Sequence, residues 1–173
     1  MSERRLKPVA TLQEVSFAFE LKNYLMQKRF KTATTCQSFM WSAILRGSSV
    51  CCVGPPRIGK TSGYLLPLIS SSIDFRQSQK EGEVLAPYSL ILCPSGKSVR
   101  KVATEAVKLT PSKPSRIPYI KILFCDRPSA MKDKSRQADL LDGFDILITT
   151  PALFLRLNDL EVRIQLLWIE MRY

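Results

Sequence analysis

Residues Gly54-Pro55-Pro56-Arg57-Ile58-Gly59-Lys60-Thr61 fit G-x-x-x-x-G-K-[ST], the pattern of a phosphate-cradling loop. The spacing has a physical reason. Glycines let the backbone turn tightly, so that successive N–H groups converge on phosphate oxygens. A helix opening directly after the loop adds the positive end of its dipole. Lys60 would bring its ammonium to the β- and γ-phosphates, and the Thr61 hydroxyl would help hold Mg2+. The plainer reading of the same residues is a glycine turn carrying a surface lysine. Arg57 stands where such loops usually carry a small residue or Gly, which predicts a stiffened or distorted loop.

The flanking elements must present that loop. Before it, Ser48-Ser49-Val50-Cys51-Cys52-Val53 reads as a short buried strand over about 49–53. After it, Ser62-Gly63-Tyr64-Leu65-Leu66 opens a helix that Pro67 ends or kinks by about Ser70. Ser70 to Pro87 reads as a surface loop. Upstream, apolar residues from Leu12 to Met26 recur at helical spacing. They predict a helix from Thr11 to about Arg29, with Thr11 as N-cap and Glu14 closing a capping box. A second helix runs from about Thr35 to Arg46, capped by Thr34 or Thr35. Gln37 in its first turn has two readings: a capping residue, or an amide that donates to and accepts from an adenine edge.

Downstream, apolar runs at about 89–93, 119–125, 144–149 and 165–169 read as further strands, the last ending on Glu170. Helices are predicted at about Ser98–Lys108, in a short stretch ending at Gly143, and at about Leu153–Leu157. Alternating strands and helices predict an α/β fold with a parallel sheet and helices on both faces. Residues 1–10 read as a flexible basic arm and 11–173 as one domain. In open parallel sheets the ligand crevice lies at the carboxyl ends of the strands.

Composition narrows the chemistry. The chain of 173 residues contains no histidine, which removes Ser-His and Cys-His nucleophilic pairs. Five cysteines, with no C-x-x-C pair, argue against zinc and against a disulfide framework. Cys51, Cys52 and Cys93 read as small core residues. No apolar run reads as a membrane span and the N-terminus lacks a signal-peptide core, so no membrane partner is expected. The net charge of +11, from 26 Lys plus Arg against 15 Asp plus Glu, favours a polyanionic partner.

These pieces occur in a recognisable order: Phe30 through Gln37, the glycine loop, Pro94-Ser95-Gly96-Lys97, then Asp145 through Thr149 followed by Thr150-Pro151-Ala152-Leu153. The chain resembles the N-terminal RecA-like domain, a P-loop NTPase fold, of DEAD-box RNA helicases from about residue 12 to 170. The resemblance implies ATP and Mg2+ as cofactors and RNA as partner. It implies ATP contacts from Gln37 and from Gly54, Pro55, Pro56, Arg57, Ile58, Gly59, Lys60 and Thr61. Phe17 or Phe19 falls near the place of the family's upstream aromatic. It implies catalytic roles for Lys60 and Glu170, with Thr61 and Glu170 near the metal. RNA would meet Pro94, Ser95, Gly96, Lys97, Thr150 and Pro151 through its sugar–phosphate backbone.

The family's motifs are degraded here. Ala33 and Thr35 replace prolines, Arg57 and Ile58 replace small residues, and Gly96 and Lys97 replace Arg and Glu. Ala152 and Leu153 replace Gly and Arg, and Cys125-Asp126 stands in place of a Gly-Gly pair. Met171 follows Glu170 where a second acid is expected, and a methionine cannot orient a water. Degenerate domains of this kind resemble the Yb-type, Tudor-containing helicases of the piRNA pathway. That implies a cytoplasmic location, perinuclear RNA granules included, with RNA-silencing protein partners, and the nucleus as the alternative. A complete helicase of this family needs a second RecA-like domain, so the expectation is one domain of a longer protein, inactive alone. The rivals are a non-catalytic RecA-like scaffold for RNA or protein, and a different P-loop ATPase.

Overall fold

Short runs rich in Leu and Ile have little choice but to pair and be covered. In the computed structural model Ser89–Leu92 (β1), Ile122–Phe124 (β2), Ile146–Thr149 (β3) and Trp168–Glu170 (β4) form one parallel sheet in the order β2-β3-β1-β4. Residues 7–30, 32–78, 88–111, 120–132, 143–158 and 168–170 are the ones the structure describes. The helices are α1 (Phe19–Gln27), α2 (Thr35–Leu45), α3 (Lys60–Ser78), α4 (Gly96–Leu109) and α5 (Pro151–Asn158), with a 3-10 turn at Pro128–Lys132. The chain divides into two units: Met1–Asp74 with Leu109–Ile117, and Phe75–Lys108 with Pro118–Tyr173.

The second unit holds the sheet. Leu90, Leu147 and Leu123 stand in register and share one face, where they cluster with Leu153 and Leu157 of α5. Ile91, Ile146 and Ile148 take the opposite face and are also fully buried. Burial on both faces is what a parallel sheet requires, and it explains apolar runs without alternation. Asp145, at the start of β3, is buried among them. Its Oδ2 accepts from Arg76 Nη1 at 2.6 Å and from the Lys121 N–H at 2.7 Å, so one carboxylate ties the end of α3 to the approaches of β2 and β3.

The first unit is helical. Trp41 of α2 is fully buried, with the Phe17 ring edge-on at 5.2 Å and the Phe30 ring at 6.0 Å. Gly63 of α3 explains how closely α2 approaches: a Cβ there would stand 2.7 Å from Met40 Sδ. Helix α1 ends in a Schellman motif. The Arg29 N–H donates to Met26 and the Phe30 N–H to Leu25, with Arg29 at φ 59° in the position that favours glycine.

Several expectations need correction. Residues 49–53 form no strand: among the described residues they join no ladder, and Val53 is 91% exposed. Val50 and Val53 are three apart and so would face opposite sides of a strand, leaving no consistent apolar face. Cys51 is therefore exposed and Cys52 half-buried, whereas Cys93 is in the core as expected. The first helix starts at Phe19 instead of Thr11. Thr11 Oγ1 does reach Glu14, but that contact closes a turn, and Thr11 bridges to Thr32. Val9 and Ala10 are held by hydrogen bonds to Ser38 and Ala33, so the basic arm is tethered at its end.

Pro67 neither ends nor visibly shortens α3, which continues to Ser78 through part of the predicted loop. The lost hydrogen bond is outweighed by burial of Leu65, Leu66, Leu68, Ile69 and Ile73, each worth about 2 kcal/mol. The helix predicted to end at Gly143, most of the loop after Thr110 and the start of the last strand lie outside the described residues. Among the described residues, no helix is long and apolar enough to cross a membrane.

Burial pushes the Asp145 carboxyl above the usual carboxylate range, and the Lys121 N–H and the Arg76 guanidinium offset this only in part. An acid with a raised folded value binds its proton more tightly when folded. Its contribution favours the fold at low pH and declines as the pH climbs past the ordinary carboxylate value. Wild-type protein should therefore lose stability relative to Asp145→Asn over the range in which the pH rises above the ordinary carboxylate value of about 4. Urea unfolding of both across that range tests this, and a constant gap would exclude the shift.

Candidate functional site

Thr34 is the N-cap of α2, and it builds a complete capping box with Gln37. The Gln37 N–H donates to Thr34 Oγ1 at 3.3 Å, and the Thr34 N–H donates to Gln37 Oε1 at 2.8 Å. The same two side chains reach the glycine loop. Thr34 Oγ1 donates to the Ile58 carbonyl at 2.8 Å, and Gln37 Nε2 donates to Ser62 Oγ at 2.7 Å. Ser62 Oγ in turn donates to the Gly59 carbonyl at 3.2 Å. Gln37 is 4% exposed, so its amide is fixed. Each of its polar atoms retains capacity for one more hydrogen bond. The two readings of Gln37 are thus compatible, and the capping one is realised.

Gly59 has φ 91°, in the region that favours glycine, and a Cβ there would lie 2.7 Å from Gln37 Nε2 and 3.0 Å from Thr34 Oγ1. This glycine is required twice, by its torsion and by its neighbours. Arg57 also adopts a left-handed torsion, φ 68°, without a glycine's freedom. That strain costs about 1–2 kcal/mol.

Helix α3 begins at Lys60, so the loop leads directly into a helix N-terminus. Lys60 Nζ donates to the carbonyls of Gly54 at 2.6 Å and Pro55 at 2.7 Å. The ammonium thus lies over the loop, and these two contacts must be exchanged for phosphate oxygens if an anion enters. Thr61 follows in the first turn of α3 and is half-buried. A loop glycine at positive φ, a cationic side chain over the loop and a hydroxyl at the helix start fit a Mg-nucleoside triphosphate once Lys60 swings. Phe17 is core, whereas Phe19 is 73% exposed.

The remaining predicted residues belong to the second unit. Pro94, Ser95, Gly96 and Lys97 follow β1, and Thr150 and Pro151 follow β3. Glu170 closes β4 in register with Leu92, at the strand end the sequence predicts. Because the strands are parallel, the sheet gathers all three groups at one end. Ser95 caps α4: the Ser98 N–H donates to Ser95 Oγ at 3.3 Å. A Cβ on Gly96 would run into the Asp126 carbonyl oxygen, which explains a glycine there. Asp126 also pairs with Arg100 of α4. Burial would raise the Asp126 carboxyl, but the hydrogen bond and charge of Arg100, with Arg127 nearby, hold it below the usual range. Met171 lies outside the described residues.

Local patterns announce neither Ser62, nor the second bond of Thr34, nor the Arg100–Asp126 pair. Each is a contact between segments distant in the chain, and no local spacing encodes it. Among the described residues no group of three or more acids or cysteines is placed to hold a metal ion. A Mg2+ ion with few protein ligands and several waters needs no such group.

Comparison with known proteins bears on this arrangement. Residues 34–168 match the family model described as DEAD/DEAH box helicase. The "Putative ATP-dependent RNA helicase TDRD12" of Bombyx mori is 33% identical over 160 residues, covering 91% of this chain and 8% of that protein. The ATP-dependent RNA helicase-like protein DB10 of Nicotiana sylvestris is 31% identical over 157 residues, covering 90% of this chain and 24% of that one. This chain therefore spans a quarter or less of these relatives. Among solved structures, a DEAD box protein from Methanococcus jannaschii superposes with a TM-score of 0.68 at 20% identity, over 90% of this chain and 39% of that one. The yeast DEAD-box splicing factor Prp28 gives 0.71 at 19% identity, over 91% and 36%. Both likenesses confirm the RecA-like α/β fold.

Gly59→Ala should cost about 2 kcal/mol or more from torsion and contact together. The loss should shrink in a Gln37→Gly background, because the amide is what the new methyl meets. Equal losses in both backgrounds would leave only backbone strain. Arg57→Gly should do the reverse and raise stability by about 0.5–1 kcal/mol, the relief of strain being partly offset by a freer unfolded chain. Denaturant midpoints read both effects, and a destabilised Arg57→Gly would show that the arginine side chain holds the loop.

Proposed function

This chain belongs to the DEAD/DEAH box helicase family, and we propose that it is the ATP-binding domain of an ATP-dependent RNA helicase. The observation that carries the reading is the joint between Gln37 and the glycine loop: a fixed amide and a phosphate cradle, built by one hydrogen-bonded chain. Gln37 offers the remaining donor and acceptor of its amide to the adenine edge. Lys60 leaves the Gly54 and Pro55 carbonyls and turns to the terminal phosphates. Thr61 supplies a hydroxyl toward the metal, and Glu170 an acid at the end of the sheet. Mg2+, when bound, shields phosphate charge during transfer. RNA lies along the loops after β1 and β3, drawn by the net charge of +11. Strand separation belongs to the full-length protein, in which a second RecA-like domain closes on the first.

A second reading has specific support. Met171 removes the acid that would orient the attacking water, and Arg57 strains the loop. Both favour a domain that binds without turnover, a clamp for RNA or for proteins of an RNA-silencing granule. Its cytoplasmic setting, with the nucleus as alternative, rests on the resemblance of the degraded motifs.

Calorimetric titration with Mg-ATP and Mg-GTP tests the site. Lys60→Ala should weaken ATP by at least about tenfold, roughly 1.4 kcal/mol, with an unchanged circular dichroism spectrum. Unaltered affinity would remove Lys60 from the site. Gln37→Ala should weaken ATP more than GTP and cost about 1 kcal/mol of stability through the lost cap. Equal losses for the two nucleotides would leave Gln37 as a cap alone.

A further inference from the structure

The absence of strand pairing at 49–53 leaves Cys52 close to α2. Cys36, in the first turn of that helix, has its Sγ 3.2 Å from Cys52 Sγ and donates toward Met40 Sδ at 3.4 Å. Both cysteines line an open groove of about 810 Å³ that also includes Thr34, Met40 and Ile58. Both are half-buried, so a small oxidant in the groove can reach them. A disulfide needs its sulfurs at about 2.05 Å, so the pair, at 3.2 Å, must close by about 1.2 Å.

We propose that Cys36 and Cys52 form a reversible disulfide, a redox modification site that fastens the first turn of α2 to the segment leading into the glycine loop. The reaction balances with glutathione disulfide as oxidant. The Cys52 thiolate attacks one glutathione sulfur, forming a mixed disulfide and releasing one glutathione thiolate, which takes a proton. The Cys36 thiolate then attacks the Cys52 sulfur and displaces the second glutathione, which is likewise protonated. Two protein thiols lose two electrons, and one glutathione disulfide becomes two glutathiones.

The geometry also sets the pace. Burial pushes the Cys36 thiol up to about 11, and its contact with Cys52 adds to this, with Lys60 opposing. The thiol is mostly protonated at neutral pH, so the bridge should form faster as the pH is raised. Cys51 is the natural competitor, being exposed and adjacent.

The test treats the folded chain with glutathione disulfide, blocks free thiols by alkylation, and maps peptides without reduction. The expected product is a Cys36–Cys52 linked peptide, lighter by two hydrogens and released by dithiothreitol. Cys51→Ser should retain it, whereas Cys36→Ala and Cys52→Ser should each abolish it. Circular dichroism of the variants separates loss of the bridge from loss of the fold. Stable mixed disulfides without a bridge, a Cys51–Cys52 linkage, or a Cys36–Cys52 bridge that appears only in urea would each overturn the proposal.

Discussion

The missing side chain of Gly59 is the constraint on which the first unit depends. At φ 91° the loop backbone comes so close to α2 that even a methyl would meet the Gln37 amide. That proximity lets Thr34 cap its own helix and hold the Ile58 carbonyl with the same hydroxyl, and lets Gln37 close the capping box while gripping Ser62. A helix terminus always leaves backbone N–H groups to satisfy. Here the groups that satisfy α2 also fix the entrance of α3. The local need of one helix and the global placement of the loop have a common solution.

The second unit answers a different demand. Its parallel strands must be covered on both faces, so the central positions of β1 and β3 go to packing and functional groups are confined to the strand ends. Asp145 at the amino end of β3 shows what the scaffold tolerates. Its carboxylate is buried with Arg76 and the Lys121 N–H, and burial still disfavours its charge. Such a group serves geometry more than net stability, because desolvation consumes much of the Coulombic gain. At the carboxyl end the balance reverses. Asp126 is held ionised by an exposed arginine, and Gly96 gives the chain room to pass.

How much of this was legible in the sequence depended on whether the cause was local. The glycine loop, the capping residues Thr34 and Gln37, and strands β1 to β4 follow from short patterns that carry their own physics. Helix α1 and the 49–53 segment did not. Leu12, Val15 and Phe17 are buried, as the helical spacing implied, but from a turn held by Thr32 and Glu14. Val50 and Val53 looked like strand and lie in the open. For Pro67 the balance runs the other way, since its local penalty is small beside the burial of α3. The hydrogen bond from Gln37 to Ser62 joins residues 25 apart, and no spacing rule finds it.

The loop also shows what degraded motifs cost and what they retain. Pro55 and Pro56 reduce the freedom of the unfolded loop, while Arg57 holds a torsion that glycine adopts without penalty. Lys60 meanwhile satisfies its ammonium on two carbonyls of its own loop. An incoming phosphate must replace both contacts, so part of its attraction to Lys60 is spent in advance. A multiply charged phosphate nevertheless offers charge-assisted hydrogen bonds roughly twice as strong as those to neutral carbonyls. The exchange therefore runs toward the anion, with an affinity lowered by the loop's own closure. Substitutions that loosen the torsion at Arg57 and those that remove the ammonium act on opposite sides of that balance.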